Sequence, residues 1–584
     1  MRHLIDITIV LFVVSLMGSG ACLATIHLPA TSDNIPTTYQ RFLSSDPSDA
    51  SSGTVIQHWR VNSWGTPPAT YAFGVVDPTV RHADADVANY FRLDQRGTGD
   101  AQLTLPFTLK KGKLYVARLR LRAAVPTLVS VGFRRDVPDY EYFAYKSVTL
   151  TPTWQDVEIE GWYTGRDNDS GGLRVVSRSL GVEIEIKGAT LGTVQTNRLA
   201  LINRSNPPAP PFFGIVVNRL GTHDQWPQMR PDLIRLWDTG TTWALLEPQQ
   251  GRWNFQRLAL YTGYAMRNDS EILYTLGQTP DWAGVAGQQK CEYGHGCLPM
   301  RSEQLWRDHV TAMFKRFGAQ IHYWELWNEP DYHGFWSGTP EGLAKLSAIL
   351  RNVQQQESKQ AYLVGPGVTV SGGLPFLDRF LSEGGGVTLD AFGCHIYYNA
   401  DADGLAETID NFRHVLQAHH LGNLPIWITE GAPQAGPSHE LSTNENDREI
   451  DLESTNFKAL LIMRAMGVAH FSFYNYETSW PEAQIVERGN PAKMTVSGKA
   501  LVAAIAIART AKILDSYEFS GVFVIRFFRD GKIRTALWSG KGDQDVQLPD
   551  DWHIAKALPW LRTDSIPVGS NGQLRVGRRP LLLE

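Results

Sequence analysis

Two glutamates stand out because each closes an apolar strand and opens a turn. Residues 321 to 331 read I-H-Y-W-E-L-W-N-E-P-D, with β-branched and aromatic residues alternating with polar ones up to a proline that cannot continue a ladder. The pattern predicts a strand ending at Asn328, with Glu329 at its mouth. Residues 424 to 433, L-P-I-W-I-T-E-G-A-P, repeat the design and deliver Glu430. A carboxylate on the rim of a buried strand costs desolvation energy that folding does not ask for, so its presence points to chemistry. Two such groups in unlike environments suffice for acid–base work, one giving a proton and the other attacking or activating water. Glu325 reads differently. Four residues before Glu329 along a strand, it lies about 13 Å deeper, which predicts a buried partner for a basic side chain.

The elements that must position this pair alternate between strands and helices. Strands are expected at 213–217, 233–237, 271–276, 321–328, 361–365, 389–395, 425–430 and 469–474, with helical periodicity from 302, from 452 and across V-S-G-K-A-L-V-A-A-I-A-I-A-R-T-A-K. Eight strands with helices between them predict a (β/α)₈ TIM barrel over 212–512, α/β in class. In that fold the active site lies at the C-terminal strand ends, where strands four and seven place Glu329 and Glu430.

The segments W-E-L-W-N-E-P-D at 324 to 331, I-T-E-G at 428 to 431 and G-C-H-I-Y-Y at 393 to 398 resemble glycoside hydrolases of clan A, nearest to family 39 and its retaining relatives. The resemblance covers roughly residues 212 to 510. It implies Glu329 as acid/base and Glu430 as nucleophile. It also implies Asn328 beside the reacting sugar's hydroxyl, Arg235 keeping Glu430 ionised, and His395 and Tyr397 bonding substrate or nucleophile. Strand eight departs from the clan pattern, since F-S-F-Y-N-Y-E offers Tyr474 and Tyr476 where a tryptophan is usual.

The implied activity is hydrolysis of glycosidic bonds in a polysaccharide or oligosaccharide, with no metal or other cofactor. Trp243, Trp282, Trp336 and Trp480 follow strands two, three, four and eight. Together with Tyr476 they are expected to line a cleft for internal cleavage, bacterial exopolysaccharides being one candidate substrate. Two alternatives stay open: an exo-acting glycosidase, with the long loop from Gln278 to Pro299 closing one end, and a non-catalytic saccharide-binding protein.

The flanks carry other patterns. Residues 45–200 run strand after strand, and the alternation in L-Y-V-A-R-L-R-L-R predicts an N-terminal β-sandwich resembling a carbohydrate-binding module. The stretch N-R-S-N-P-P-A-P-P within 201–211 reads as a proline-rich linker. Residues 513–584 form a small C-terminal β domain with a hairpin turning at Asp530-Gly531, expected to pack on the barrel and to borrow strands from around 193 to 202.

At 584 residues the chain can bury several cores, and a net charge of -5 argues against a nucleic-acid surface. Residues 1–24 have an early Arg2, an apolar run and small residues near Ala21 and Ala24, the layout of a secretory signal peptide too short to span a bilayer. A secreted, periplasmic or extracellular protein without an integral membrane segment follows, with lipidation at Cys22 the lesser alternative. In an oxidising compartment Cys291 and Cys297, bracketing a glycine-rich loop, are expected to form a local disulfide; the other reading is two free thiols. Cys394 sits in an apolar strand and reads as core. No G-x-S-x-G elbow, Walker loop or dinucleotide fingerprint is present.

Overall fold

The computed structural model describes residues 25–584, except 45–58, 76–88, 97, 99, 138–139, 198, 200–210, 222–225, 286–290, 293–295, 435–443, 481 and 488–489. The expected signal peptide, Cys22 and all but the last residue of the proline-rich joint therefore lie outside the described residues.

Eight parallel strands close into a barrel in sequence order. They are β1 (Phe213–Val216), β2 (Leu233–Leu236), β3 (Glu271–Leu276), β4 (Tyr323–Leu326), β5 (Tyr362–Val368), β6 (Ala391–His395), β7 (Ile426–Gly431) and β8 (Val468–Phe473). Each is a short apolar run buried almost throughout, as strands covered on both faces must be. Helices pack outside, among them 303–317, whose Ser302 side chain accepts from the Gln304 N–H, and 340–357, where Thr339 accepts from Gly342 and Pro340 opens the first turn. The largest departure from the sequence reading is β4, which stops two residues before Asn328 because Trp327 leaves the ladder at φ 62°.

Before the barrel, two antiparallel sheets face each other. One orders strands 155–163, 113–123, 183–195, 89–95 and 70–75, and the other 60–63, 101–108, 170–177, 127–135 and 142–150. Their inward residues, such as Leu119, Leu121, Phe133 and Val175, share one core. Residues 193–195 pair inside this layer, 193–194 with 114–115 on one side and 193–195 with 38–40 on the other, so they are not lent to the C-terminal sheets. What the C-terminal region borrows instead is Ile26–His27, which runs parallel to Val546–Gln547. The hairpin turning at Asp530-Gly531 is present, joining 522–529 to 532–539. Phe523, Ile525, Phe527 and Trp538 of its strands belong to the barrel's own core, and Trp560 stacks on Phe457 of helix 445–465 with ring centroids 3.9 Å apart. No helix among the described residues is long and apolar enough to cross a membrane.

The N-terminal sheets are fixed to the barrel by polar contacts and do not hang from the joint alone. Asn411, on helix 405–418, accepts from the Trp162 N–H at 2.7 Å and donates to the Trp162 carbonyl at 2.8 Å. Asp410 accepts from the Trp162 indole at 3.0 Å, and the buried Asp378 accepts from the Ser147 N–H at 3.1 Å. Because both Trp162 backbone groups are paired by one amide, Asn411→Ala leaves a buried donor and acceptor without partners, at about 1–3 kcal/mol for each such group. Urea unfolding should show a lower midpoint for this variant; an unchanged midpoint would mean that the docking contact carries no stability.

Candidate active site

The backbone that presents Glu329 is held in an uncommon form. Trp327 and Glu329 both have left-handed φ, 62° and 43°, a region that side chains avoid unless their surroundings over-determine it. The surroundings are β5, where the Glu329 N–H donates to the Gly367 carbonyl at 2.8 Å and Asn328 bridges Gly367. A side chain at Gly367 would put its Cβ 2.9 Å from His395 Nε2 and 3.1 Å from Glu325 Oε1, so only glycine lets β5 approach this closely. Pro330 then ends any strand continuation. Asp331, the last residue of the motif, accepts from the Thr369 N–H at 2.9 Å and from its hydroxyl at 2.5 Å, tying the loop after β4 to the loop after β5.

Glu430, on β7, is brought to the same place by a buried guanidinium. Arg235, on β2, donates to Glu430 Oε2 at 2.6 Å, to Glu325 Oε2 at 2.8 Å and to Asn328 Oδ1 at 2.8 Å, and its Nη2 lies 3.3 Å from His395 Nε2. The Tyr397 hydroxyl donates to Glu430 Oε1 at 2.7 Å. His395 Nδ1 lies 2.9 Å from Glu329 Oε1 and 3.9 Å from Glu430 Oε1. With its proton on Nδ1, this imidazole donates to Glu329 and accepts from Arg235, satisfying both contacts. Ligand-capable atoms of Glu329, His395 and Glu430 all lie within 4.8 Å of one another. The residues named from the motifs, Glu329, Glu430, Asn328, Arg235, His395 and Tyr397, are thus one connected cluster. Glu325 does pair with a basic side chain, but it is not remote from the rim: the length of Arg235 joins it to Glu430.

The two rim carboxylates sit in unlike surroundings. Glu430 has a side chain 8% exposed and takes donors on both oxygens, whereas that of Glu329 is 18% exposed and meets a single imidazole. Burial alone would make Glu325 a weaker acid, but Arg235, His395 and the Thr275 hydroxyl outweigh it and hold its pKa below the usual range. Burial also opposes the charge on His395, and Glu430 and Glu329 outweigh it, so the imidazole is more basic than usual. Burial and then the Glu430 charge push the Tyr397 hydroxyl far up, so it stays a donor. The Glu329, His395 and Glu430 trio has the donor types of a metal site, but Arg235 touches two of the three and would repel a cation.

Several expected sugar platforms are packing groups. Trp243 is fully buried, stacked on His309 and edge-on to Trp282, and its indole donates to Glu247. Trp336 is buried edge-on against Trp327. The half-buried Trp282 spends its indole N–H on the Glu247 carbonyl. Tyr476 is also buried, 1% exposed, and it is Tyr474 that reaches the surface, donating to Asp238 at 2.7 Å. Large aromatics beside a barrel rim bury their area when a neighbouring loop offers apolar cover, and spacing along the chain does not reveal that cover. Trp480 is 38% exposed and lies edge-on to Tyr397 at 6.1 Å. A cavity of about 440 Å³ opens beside Glu329 and His395, lined by Thr369, Ser371, Tyr397 and Asn399 and, from the N-terminal sheets, Thr164. Asp331 was legible in the motif but given no role, and no sequence signal marks Thr164. Across the rim, Cys291 and Cys297 form a disulfide, and the Ser337 N–H donates to the Cys297 carbonyl at 2.8 Å.

Comparison with known proteins gives a family match and likenesses of fold. Residues 281–463 match the family model described as "Glycosyl hydrolase catalytic core", a span containing both Glu329 and Glu430. No curated protein matches the sequence. The fold is similar to that of a family 39 glycoside hydrolase from the gut symbiont Bacteroides cellulosilyticus WH2, with a TM-score of 0.51 and 15% identity, covering 79% of this chain and 95% of that one. A family 39 β-xylosidase from Caulobacter crescentus aligns over 66% of this chain and 98% of its own, at 16% identity and a TM-score of 0.44. The segment that carries the two glutamates is a glycosyl hydrolase catalytic core.

The buried network has a signature in stability. Arg235→Met strands two buried carboxylates, which costs about 3–5 kcal/mol when an ion pair is broken on one side. Glu325, with its lowered pKa, contributes stability above the ordinary carboxylate range and loses it as pH falls through its folded value. Wild type should therefore exceed Glu325→Gln in stability near neutral pH, and the gap should narrow in acid. A gap that is flat with pH would show that Glu325 is not held ionised.

Proposed function

We propose that the chain is a secreted retaining glycoside hydrolase in which Glu430 attacks the anomeric carbon and Glu329 serves first as acid and then as base. The observation that carries this reading is the asymmetry of the pair. Glu430 is buried under two donors, one a guanidinium, which fix the attacking carboxylate by charge-assisted hydrogen bonds. Glu329 leaves Oε2 to carry a proton, since Oε1 is taken by His395. Their oxygens approach within 4.8 Å, in keeping with the roughly 5–5.5 Å spacing of retaining pairs and short of the roughly 6.5–9.5 Å that an inverting enzyme needs for its water.

In the first step Glu329 protonates the leaving oxygen as the glycosidic bond breaks, and a Glu430 oxygen bonds the anomeric carbon. In the second, Glu329 takes a proton from water, the water oxygen bonds the same carbon, and Glu430 leaves as a carboxylate. Asn328, held by Arg235, would bond the hydroxyl next to the reacting carbon. Internal cleavage of a polysaccharide is supported by the open cavity beside Glu329 and by the exposed Trp480, edge-on to Tyr397 of the cavity wall. Work outside the cytoplasm is supported by the disulfide, which persists in oxidising compartments.

Bacterial exopolysaccharides and plant glycans are the substrates to screen, by release of reducing ends. On a glycan that is cut, NMR of the first product should show the substrate's own anomeric configuration, and early products should be mixed oligosaccharides. Glu430→Gln should be almost inactive on all substrates. Glu329→Gln should lose about 10²–10⁴-fold on natural glycans and much less on aryl glycosides whose leaving group needs no proton. An inverted product would reject the retaining mechanism, and monosaccharide release from a polymer that stays long would replace internal cleavage by exo action.

A further inference from the structure

The cavity at Glu329 does not end on the barrel. Its far wall is Thr164, in the turn after strand 155–163 of the N-terminal sheets, which stands over the loop after β6. The two parts touch closely there: a Cβ on Gly404 would lie 3.2 Å from the Thr164 Cβ. A second cavity, of about 210 Å³, begins at this junction, sharing Thr164, Val370 and Thr408 with the first and running on between Arg135 and Glu141 of the N-terminal sheets and Leu374 and Asn411 of the barrel. Resting on the function proposed above, we infer that the N-terminal sheets form the distal end of the substrate cleft, binding a glycan chain that extends from the catalytic pair.

Three observations support a built cleft over a chance gap between packed parts. First, the junction is held from both flanks. On the loop 399–404, Asp403 pairs with Lys111 of the N-terminal sheets at 2.7 Å, and Asp401 meets both the buried Lys458 and Arg578 of the C-terminal region at 3.2 Å. Within that loop, Asn399 Oδ1 accepts from the N–H groups of Asp401 and Asp403. A surface fixed before binding loses little entropy when a chain is laid on it. Second, among apolar neighbours such as Val370, Leu374 and Phe412 the lining carries the hydroxyls of Thr164, Ser371 and Thr408, groups that exchange hydrogen bonds with sugar hydroxyls. Third, the charges along the path are paired within the protein, Arg135 with Glu141 at 3.1 Å and Lys111 with Asp403, which suits a neutral polyhydroxylated chain better than a polyanion.

The N-terminal sheets thus act as part of the cleft, and their effect depends on chain length. The test is steady-state kinetics on the oligosaccharide ladder, from disaccharide upward, made by partial hydrolysis of the polysaccharide that wild type cuts. Thr164→Phe narrows the junction, and Arg135→Ala combined with Glu141→Gln removes the paired polar groups without leaving a lone charge. In each, the ratio of kcat/KM on the longest chain to that on the shortest should fall about tenfold, chiefly through KM, as loss of one or two hydrogen bonds predicts. If either variant fails to fold by thermal denaturation, Thr164→Val, which removes only the hydroxyl, should move the ratio the same way by a smaller amount. A ratio that stays at its wild-type value, or activities that fall together at every length, would overturn the extended cleft while leaving the catalytic reading intact. Equal activity of wild type and Glu430→Gln on every glycan would overturn both.

Discussion

A single buried cation organises the site. Arg235 has no exposed side-chain surface, and an isolated guanidinium at that depth would not be tolerated. It is stable because Glu325 and Glu430 surround it, and together their charges hold its pKa up against burial. The dependence runs both ways. Glu430 is held at the rim by a guanidinium that is itself fixed from below by Glu325, and Asn328 and His395 take their orientation from the remaining N–H groups. Through His395 the same network reaches Glu329, so the geometry of both rim carboxylates follows from how one planar fork is satisfied.

Much of this was legible in the sequence because the chemistry-bearing residues sit at strand ends, where apolar runs and turn residues announce them. Glu329 and Glu430 are each followed within three residues by a proline, and β2 displays Arg235 inside an otherwise aliphatic L-I-R-L. What escaped is long-range. The contact of Gly367 with the Glu329 N–H, beside the left-handed φ of Glu329, is made between strands and not by local propensity. Glu325 is the buried partner of a basic side chain that the sequence suggests, but strand rise measures backbone separation and does not show that this partner, Arg235, also reaches Glu430. Trp243 and Trp336 follow barrel strands just as Trp480 does, yet the first two are buried by neighbouring aromatics and only the third meets solvent. Which loop covers which ring is decided by packing between segments that sequence spacing does not relate.

The flanking sheets are integral to the barrel's active-site face. The N-terminal sheets grip helices 373–382 and 405–418 through Asp378, Asp410 and Asn411, and the C-terminal region grips helix 445–465 through Trp560 and through Arg562 and Arg579 on Glu453. Both also reach the loop after β6, so a barrel loop at the cavity is positioned by residues more than 400 positions apart, Lys111 and Arg578. The borrowed strand Ile26–His27 adds a further link between the chain's two ends. Polar contacts of this kind add little stability one at a time but fix orientation, which is what a cleft built from several segments requires.

The proposed division of labour between the glutamates can be tested by trapping the intermediate. A 2-deoxy-2-fluoro glycoside with a good leaving group, of a sugar that the enzyme cleaves, should inactivate it with time and add one glycosyl mass to the intact protein. Peptide mapping should place that mass on Glu430, within the strand Ile426–Gly431, and inactivation should be lost in Glu430→Gln. A label on Glu329, or steady turnover of natural substrate with inverted product and no covalent adduct, would contradict the account of Arg235 and Tyr397 as the groups that hold the nucleophile.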